Sequence, residues 1–239
     1  MSDLHLAPAN PRAAAAFHAL MRGPARHAAA VYILGDLFDV WIGDDQLRVP
    51  FYRRVAEALR EVSASGIPVH VARGNRDFLI GEQFAAASGA RLLPEQIVVD
   101  VAGVPTLLMH GDELCTDDVA YQRFRAHART TQWRDDILSK PYWQRRLIGW
   151  YLRLRSRRAT AQKREEIMDV NEGAVADAFR AHGVTRMIHG HTHRPARHAL
   201  TVDGTPRERH VMAAWHDDGH YLEVDDRGVQ VRTIKGAVL

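Results

Sequence analysis

Val31-Tyr32-Ile33-Leu34-Gly35-Asp36 is the stretch that decides the fold: four apolar residues end abruptly in a Gly-Asp pair. It predicts a short buried strand whose carboxyl end turns through glycine and presents an acid. Further strand ends follow the same rule. Val69-His70-Val71-Ala72 runs into Gly74-Asn75-Arg76-Asp77, Thr106–Met109 into His110-Gly111-Asp112, and Arg186–His189 into Gly190-His191-Thr192-His193. Near the start stands Asp3-Leu4-His5. Polar residues gathered beyond the carboxyl ends of strands are where open α/β sheets place their ligand sites.

Between these strands lie helical patterns. Asn10-Pro11 opens one that continues through Leu20, and Pro50 opens another running to about Ser65. Ile97–Val101 and Thr106–Met109 predict a hairpin across Gly103. From Asp117 to about Gly183 the pattern is helical, and from His198 three β-rich runs are expected, with turns at Asp203-Gly204, Asp217–Gly219 and Asp225–Gly228. The reading is an α/β core over 1–116 and 169–239, interrupted at 117–168 by a helical insertion without an obvious core of its own, expected to pack as a lid.

At 239 residues, 46% apolar and 26% charged, the composition is that of an ordinary globular chain, not a disordered or collagen-like one. No run of eighteen apolar residues exists to span a membrane. The N-terminus has no basic-then-apolar secretory pattern, which leaves the cytoplasm as the expected compartment. The single cysteine, Cys115, excludes an internal disulfide framework and a cysteine-rich zinc site; it reads as a small buried residue. The net charge of +3 is unevenly spread, because nine basic residues and no acid lie between Lys140 and Arg164, leaving −6 for the rest. The surface there is expected to dock something anionic.

Singly, each polar motif has an ordinary reading. Asp-x-His is usually turn chemistry, Gly-Asp a loop start, His110 a satisfied buried histidine; only Gly-His-x-His, with alternate residues pointing one way, leans toward a metal. Together, two Asp, one Asn and four His form an oxygen and nitrogen set suited to Mn, Fe or Zn. Seven ligands exceed the needs of one such ion and fit two sharing a carboxylate, the arrangement that hydrolyses phosphate esters and anhydrides.

The ordered set Asp3-x-His5, Gly35-Asp36, Gly74-Asn75-Arg76-Asp77, His110 and Gly190-His191-x-His193 resembles the calcineurin-like metallophosphoesterase superfamily over essentially the whole chain. The resemblance implies an α/β four-layer sandwich, two facing mixed β-sheets flanked by helices, with a dimetal site at the sheet edges. It places Asp3, His5, Asp36 and His193 on one metal and Asp36, Asn75, His110 and His191 on the other. His189 matches no ligand and reads as a core or supporting residue. Catalytic roles fall to Asp36, Asn75, Arg76 and His110.

Arg76 stands where many members have a His able to protonate the leaving group. Arginine cannot act as that acid but binds phosphate through its planar fork. A leaving group that is itself a phosphate needs little protonation, so pyrophosphate cleavage is the expectation. Longer strings, Tyr32–Asp45, Gly74–Leu79, Met109–Asp118, Ile167–Asn171, His189–Pro195 and Ala213–His216, are similar to the UDP-2,3-diacylglucosamine hydrolase family of lipid A biosynthesis. That resemblance implies two Mn²⁺ per chain, water attack on the uridine-side phosphorus, and UMP with 2,3-diacylglucosamine 1-phosphate as products. It also implies substrate contacts from Asn75, Arg76, Asp118, Ser156, Lys163 and His191, with Thr160 where Asn is commoner.

Trp143, Leu147, Trp150 or Tyr151, and Leu154 recur at helical spacing among Arg145, Arg146, Arg153 and Arg157. Part of that face must pack on the core, while a basic aromatic helix over 140–164 also fits an anionic inner-membrane surface, on its cytoplasmic side. Three rivals stay open: a soluble nucleotide pyrophosphatase acting on ADP-ribose or a CDP-alcohol, a nuclease, and a non-catalytic scaffold. The acidic remainder argues against nucleic acid as a partner, and the filled ligand positions against a scaffold. No obligate protein partner is inferred. In the family an apolar strand precedes Asp-x-His, whereas this chain opens Met1-Ser2-Asp3. Asp3 and His5 are therefore expected to be poorly held, as in a chain whose start is placed late or truncated.

Overall fold

Parallel pairing of two short strands sets the geometry on which everything else rests. In the computed structural model, which describes residues 1–162, 169–215 and 218–235, β1 (Val31–Leu34) pairs in parallel with β2 (Val69–Ala72), Val31 opposite Val69. β3 (Arg91–Leu92) extends this sheet beyond β2, again in parallel. A second sheet has the order β4-β5-β6-β8-β7, from β4 (Gln96–Val101), β5 (Val104–Met109), β6 (Arg186–His189), β7 (Ala196–Val202) and β8 (Thr205–Val211). It is mixed, with antiparallel hairpins at both edges and the parallel strands β5, β6 and β8 at the centre. β9 (Asp218–Asp225) and β10 (Gly228–Lys235) form a separate antiparallel hairpin.

The cores between these sheets and the helices define four layers. α1 (Pro11–Arg22) begins as its sequence predicts, with Pro11 at the first position and the Asn10 side chain accepting a hydrogen bond from the Ala13 amide at 3.2 Å. It buries Ala13, Ala16, Phe17, Leu20 and Met21. With Val55, Leu59 and Val62 of α2 (Pro50–Ala64), these residues cover one face of β1 and β2, where Ile33 and Val71 are fully buried. The opposite face of that layer meets the second sheet through Leu34, Leu108, Ile188 and Met212, joined by Leu222 and Val224 of the β9–β10 hairpin. The far side of the second sheet is covered by α7 (Glu172–His182), whose Val175 and Phe179 pack on Leu107 and Met187. Each large side chain so buried contributes about 1.5–3 kcal/mol.

The insertion between β5 and α7 forms α4 (Val119–Ala128), α5 (Thr131–Ser139) and α6 (Tyr142–Gln162). It joins the main core through Ile137, with Trp133 and Ile148 packed beside it. The apolar stripe of α6 divides, with Leu154 half-buried and the neighbouring Ile148 packed on the core. Trp143, Leu147, Trp150 and Tyr151 are all more than half exposed, at 57–64%. α6 is seated by polar contacts as well, the buried Arg145 bonding the Ile42 carbonyl and Asp45, and Arg153 bonding Asp39. Among the described residues, no helix is long and apolar enough to cross a membrane.

Three further differences from the sequence reading have local causes. α3 (Glu82–Ser88) is too short to show a period, and β3 is a two-residue strand made only by its pairing with β2. The tail has four strands rather than three, β7 opening at Ala196. A turn expected at 217–219 is not one on its described side, since Asp218 and Gly219 already pair with Lys235 and Ile234; position 217 lies outside the described residues, as does His216.

The expectation that Asp3 and His5 are poorly held is overturned. Residues 1–6 run in parallel beside β1 and the turn after it. The Leu34 amide donates to the Met1 carbonyl at 2.8 Å, and the Asp3, His5 and Leu6 amides donate to the carbonyls of Gly35, Asp36 and Leu37 at 3.1, 2.9 and 2.9 Å. On its other side the segment accepts from the Trp215 amide, so it bridges β1 to the chain entering β9. Leu4 and Leu6 are fully buried in the main core.

Candidate metal centre

Because β1 and β2 run parallel, as do β5 and β6, their carboxyl ends open on one edge of the sandwich. The Gly190 amide donates to the His110 carbonyl at 2.9 Å, fastening the β5 and β6 ends together. The backbone turns sharply there. Asp3, His5, Asp36, His191 and His193 all have φ between 47° and 66°. The other two non-glycine residues with positive φ among those described, Ala102 and Asp203, sit in hairpin turns. Left-handed backbone costs a non-glycine residue about 1–2 kcal/mol, and such strain collects at functional sites.

Two groups of donor atoms result, with Asp36 between them. In one, the Nε2 atoms of His5 and His193 stand 3.3 Å apart and Asp3 Oδ1 lies 3.3 Å from His193 Nε2. In the other, Asn75 Oδ1 lies 2.9 Å from His110 Nε2 and 3.0 Å from His191 Nδ1. Asp36 faces the first group through Oδ2, 3.8 Å from His5 Nδ1, and the second through Oδ1, 3.8 Å from His110 Nε2. All seven residues named as ligands from the sequence are thus brought together. Neighbouring donors about 3 Å apart are what one shell of radius about 2.1 Å requires.

The residues fit divalent ions on a further observation. Asp3 Oδ1 is buried with no hydrogen-bond partner, 3.3 Å from His193 Nε2 and 4.0 Å from His5 Nε2, a cost that a cation among these three atoms would remove. Two carboxylates, an amide oxygen and four imidazoles form a donor set for a borderline or hard ion. The electrostatics are those of a crowded acid–imidazole site. Burial pushes the Asp36 carboxyl up to about 7, and burial followed by the Arg76 charge lowers His5 to about 3. Burial also works against a charged His110, but Asp36, Asp3 and Asp112 outweigh it and lift the ring to about 9. Burial and the neighbouring His110 bring His191 down to about 4.

A layer of supporting groups aims these atoms. His110 Nδ1–H donates to the Leu34 carbonyl at 2.9 Å, which turns Nε2 to the site. Asp77, fully buried, accepts from the amides of Asp36, Phe38 and Gly74 and so ties the two strand-end turns to each other. His189 is also fully buried, donating through Nδ1 to the Gly190 carbonyl and accepting from Arg209 at Nε2, as its reading as a supporting residue requires. Sequence reasoning passed over Asp77 and Asp112. Both stood inside quoted motifs, Gly-Asn-Arg-Asp and His-Gly-Asp, and a carboxylate directly after a glycine-bearing strand end was the available signal.

Arg76 lies at the rim, its side chain 28% exposed, with Nε 3.6 Å from Asp36 Oδ2 and Nη1 3.6 Å from Asp39 Oδ1. Asp118 caps α4, accepting from the Tyr121 amide at 3.1 Å. The side chains of Ser156 and Thr160, and all of Lys163, lie outside the described residues, so the structure does not place these three contacts. Cys115 is buried and its thiol pushed up to about 12, mainly by burial, which excludes it as a nucleophile.

The calcineurin-like phosphoesterase family model matches residues 1–195. The chain is 47% identical over 237 residues to the UDP-2,3-diacylglucosamine hydrolase of Bordetella pertussis, covering 96% of this chain and 92% of that one. It is 43% identical over 232 residues to the enzyme of that name from Cellvibrio japonicus, covering 97% and 96%, and 45% identical over 231 residues to that of Escherichia coli K12, with the same coverage. The chain belongs to the calcineurin-like phosphoesterases and, within them, to the UDP-2,3-diacylglucosamine hydrolase family.

Proposed function

We propose that this protein hydrolyses the pyrophosphate bond of UDP-2,3-diacylglucosamine in lipid A biosynthesis, releasing UMP and 2,3-diacylglucosamine 1-phosphate. One observation carries the reading: a single carboxylate, Asp36, presents its two oxygens to two ligand groups while the Arg76 fork stands over it. Asp3, His5, Asp36 and His193 would hold one ion and Asp36, Asn75, His110 and His191 the other, with Mn²⁺ as the metal of choice. Such ions supply Lewis acidity at the phosphoryl group and make water nucleophilic near neutral pH.

The chain's own residues do the rest. Arg76, paired with two carboxylates and open to solvent, grips the bridging or departing phosphate and stabilises charge gathering on its oxygens. It cannot protonate the leaving group, which suits a phosphate and not an alkoxide. Asn75 and His191 face the phosphates beside it. The exposed apolar stripe of α6, flanked by Arg146 and Arg155, would meet the acyl chains and the anionic cytoplasmic face of the inner membrane. Asp118, Ser156, Thr160 and Lys163 would be substrate contacts, as the family resemblance implies, with the insertion acting as the lid.

The test is thin-layer and phosphorus NMR analysis of products from UDP-2,3-diacylglucosamine with Mn²⁺, with ADP-ribose as control, EDTA as blank, and Asp36→Ala alongside. UMP and a lipid phosphate, absent with EDTA and reduced more than a hundredfold in D36A, are expected. Cleavage of ADP-ribose alone would keep the site chemistry and overturn the lipid assignment.

A further inference from the structure

Asp112 is a carboxylate near the metal centre whose Oδ2 bonds side chains of the insertion and none of the donor residues. It is fully buried, and its Oδ2 accepts from Tyr121 Oη at 2.6 Å, Arg125 Nε at 2.9 Å and Arg129 Nη2 at 3.1 Å. Burial raises the cost of its charge, but His110 and the two guanidinium groups hold its carboxyl well below the usual range. Tyr121 and Arg125 lie on α4, and Arg129 follows at its C-terminal end. Glu95 closes the network from the other side, accepting from Arg125 Nη2 at 2.7 Å and Arg129 Nη1 at 2.6 Å.

This network reaches the turn that carries each of the three residues of the second donor group. Asp112 is two residues beyond His110 in the same turn. Arg129 Nη2 also donates, at 3.3 Å, to the carbonyl of Gly74, the residue before Asn75. The Tyr121 ring lies nearly parallel to that of His191, 24° between planes and 6.0 Å between centroids. The first donor group has no described bond to α4. Its Asp3 is held instead by Ser2 Oγ at 2.6 Å and the His191 amide at 2.9 Å.

We infer that Asp112, Tyr121 and Arg129 are positioning residues for one of the two ions: they lock α4 onto the turns bearing Asn75, His110 and His191. The insertion is then part of the second ion's support as well as a cover. A groove-tracking helix would need only loose surface contacts, whereas three bonds converge here on a fully buried carboxylate. Outer groups of this kind typically change metal affinity by 10- to 100-fold when lost. The inference rests on reading Asn75, His110 and His191 as ligands of a single ion.

The experiment is calorimetric titration of metal-free full-length protein with MnCl₂, with Mn²⁺ EPR of the loaded protein and steady-state kinetics. Arg129→Ala removes the bond to Gly74 while leaving Asp112 two partners, and Arg129→Lys restores charge without the fork. The wild type should bind two ions and show an exchange-coupled spectrum. In R129A one of the two affinities should fall at least tenfold with the other unchanged, the coupled signal should weaken, and kcat should fall at constant KM. R129K should recover part of each. Tyr121→Phe, which keeps the ring over His191, should cost less than R129A. Two unaltered affinities in R129A would overturn the positioning role. Equal weakening of both sites with a lowered thermal midpoint would do the same, by making Arg129 a general structural residue. Fewer than two ions in the wild type would overturn the two-ion reading itself, and is seen before any variant is made.

Discussion

Gly190 lies where the backbone of the Gly-His-x-His turn passes over the buried Asp3 carboxylate. A β-carbon there would sit 2.1 Å from Asp3 Oδ2 and 2.2 Å from Ser2 Oγ, with neither atom free to withdraw into solvent. Gly190→Ala is expected to cost about 1–3 kcal/mol by overpacking and to displace a ligand. Thermal melts should show a lowered midpoint, and Mn²⁺ titration a weakened site; an unaltered titration would contradict the crowding argument. Cys115 gives a second prediction at this scale. With its pKa raised to about 12 by burial first and by surrounding acids second, almost no thiolate exists at pH 7.5. Alkylation by iodoacetamide should therefore be negligible in the native protein and fast in urea, and rapid native labelling would show an opening that the packing does not predict.

At the scale of elements, α6 shows how a helix can be seated by buried charge and one apolar contact, Ile148, while its aromatic stripe stays in water. Arg145 is buried against the Ile42 carbonyl and Asp45, and Arg153 reaches Asp39, the same carboxylate that neighbours Arg76. Trp143, Leu147, Trp150 and Tyr151 consequently point outward. Withdrawing a large apolar side chain from water is worth about 1.5–3 kcal/mol, so two tryptophans account for at least a tenfold change in surface binding. Trp143→Ser with Trp150→Ser should lower sedimentation with anionic phospholipid vesicles by that factor while moving the thermal midpoint by less than about 2 °C. A large fall in midpoint would show that the stripe packs on protein after all.

Over the whole molecule, the site stitches together segments far apart in the chain. Donors from Asp3 to His193 are carried on the N-terminal segment, the ends of β1 and β2 in one sheet, and the ends of β5 and β6 in the other. Divalent ions bound there would oppose separation of the layers. At a concentration one hundred times the dissociation constant, one ion adds about 2.7 kcal/mol, which for a chain of this size is about 5–10 °C. Scanning fluorimetry should show that rise with Mn²⁺ and its reversal by EDTA. An unchanged midpoint at saturation would count against ions held across the two sheets.

Much of this was legible in the sequence because it is local. Apolar runs of four residues ending in glycine and a polar residue specify strand ends, and Asn10-Pro11 specifies a helix start, each through chemistry within a few residues. The candidate ligands Asp36, Asn75, His110, His191 and His193 were readable for the same reason, as each follows a strand, whereas Asp3 and His5 stood out by their spacing alone. What was not legible depends on partners distant in the chain. Whether Asp3 is held is decided by amides and carbonyls of residues 34–37 and 215, β3 exists only because β2 lies beside it, and the exposed side of α6 was set by Asp39 and Asp45. Periodicity marks an apolar face but not what covers it. Amino-acid order alone determined which atoms this protein offers to a cation and a phosphate. Tertiary structure decided that Asp36 stands between two donor groups and that Asp112 binds the insertion to one of them, because only packing two sheets face to face, with their strand ends on one edge, brings those residues within a few ångströms.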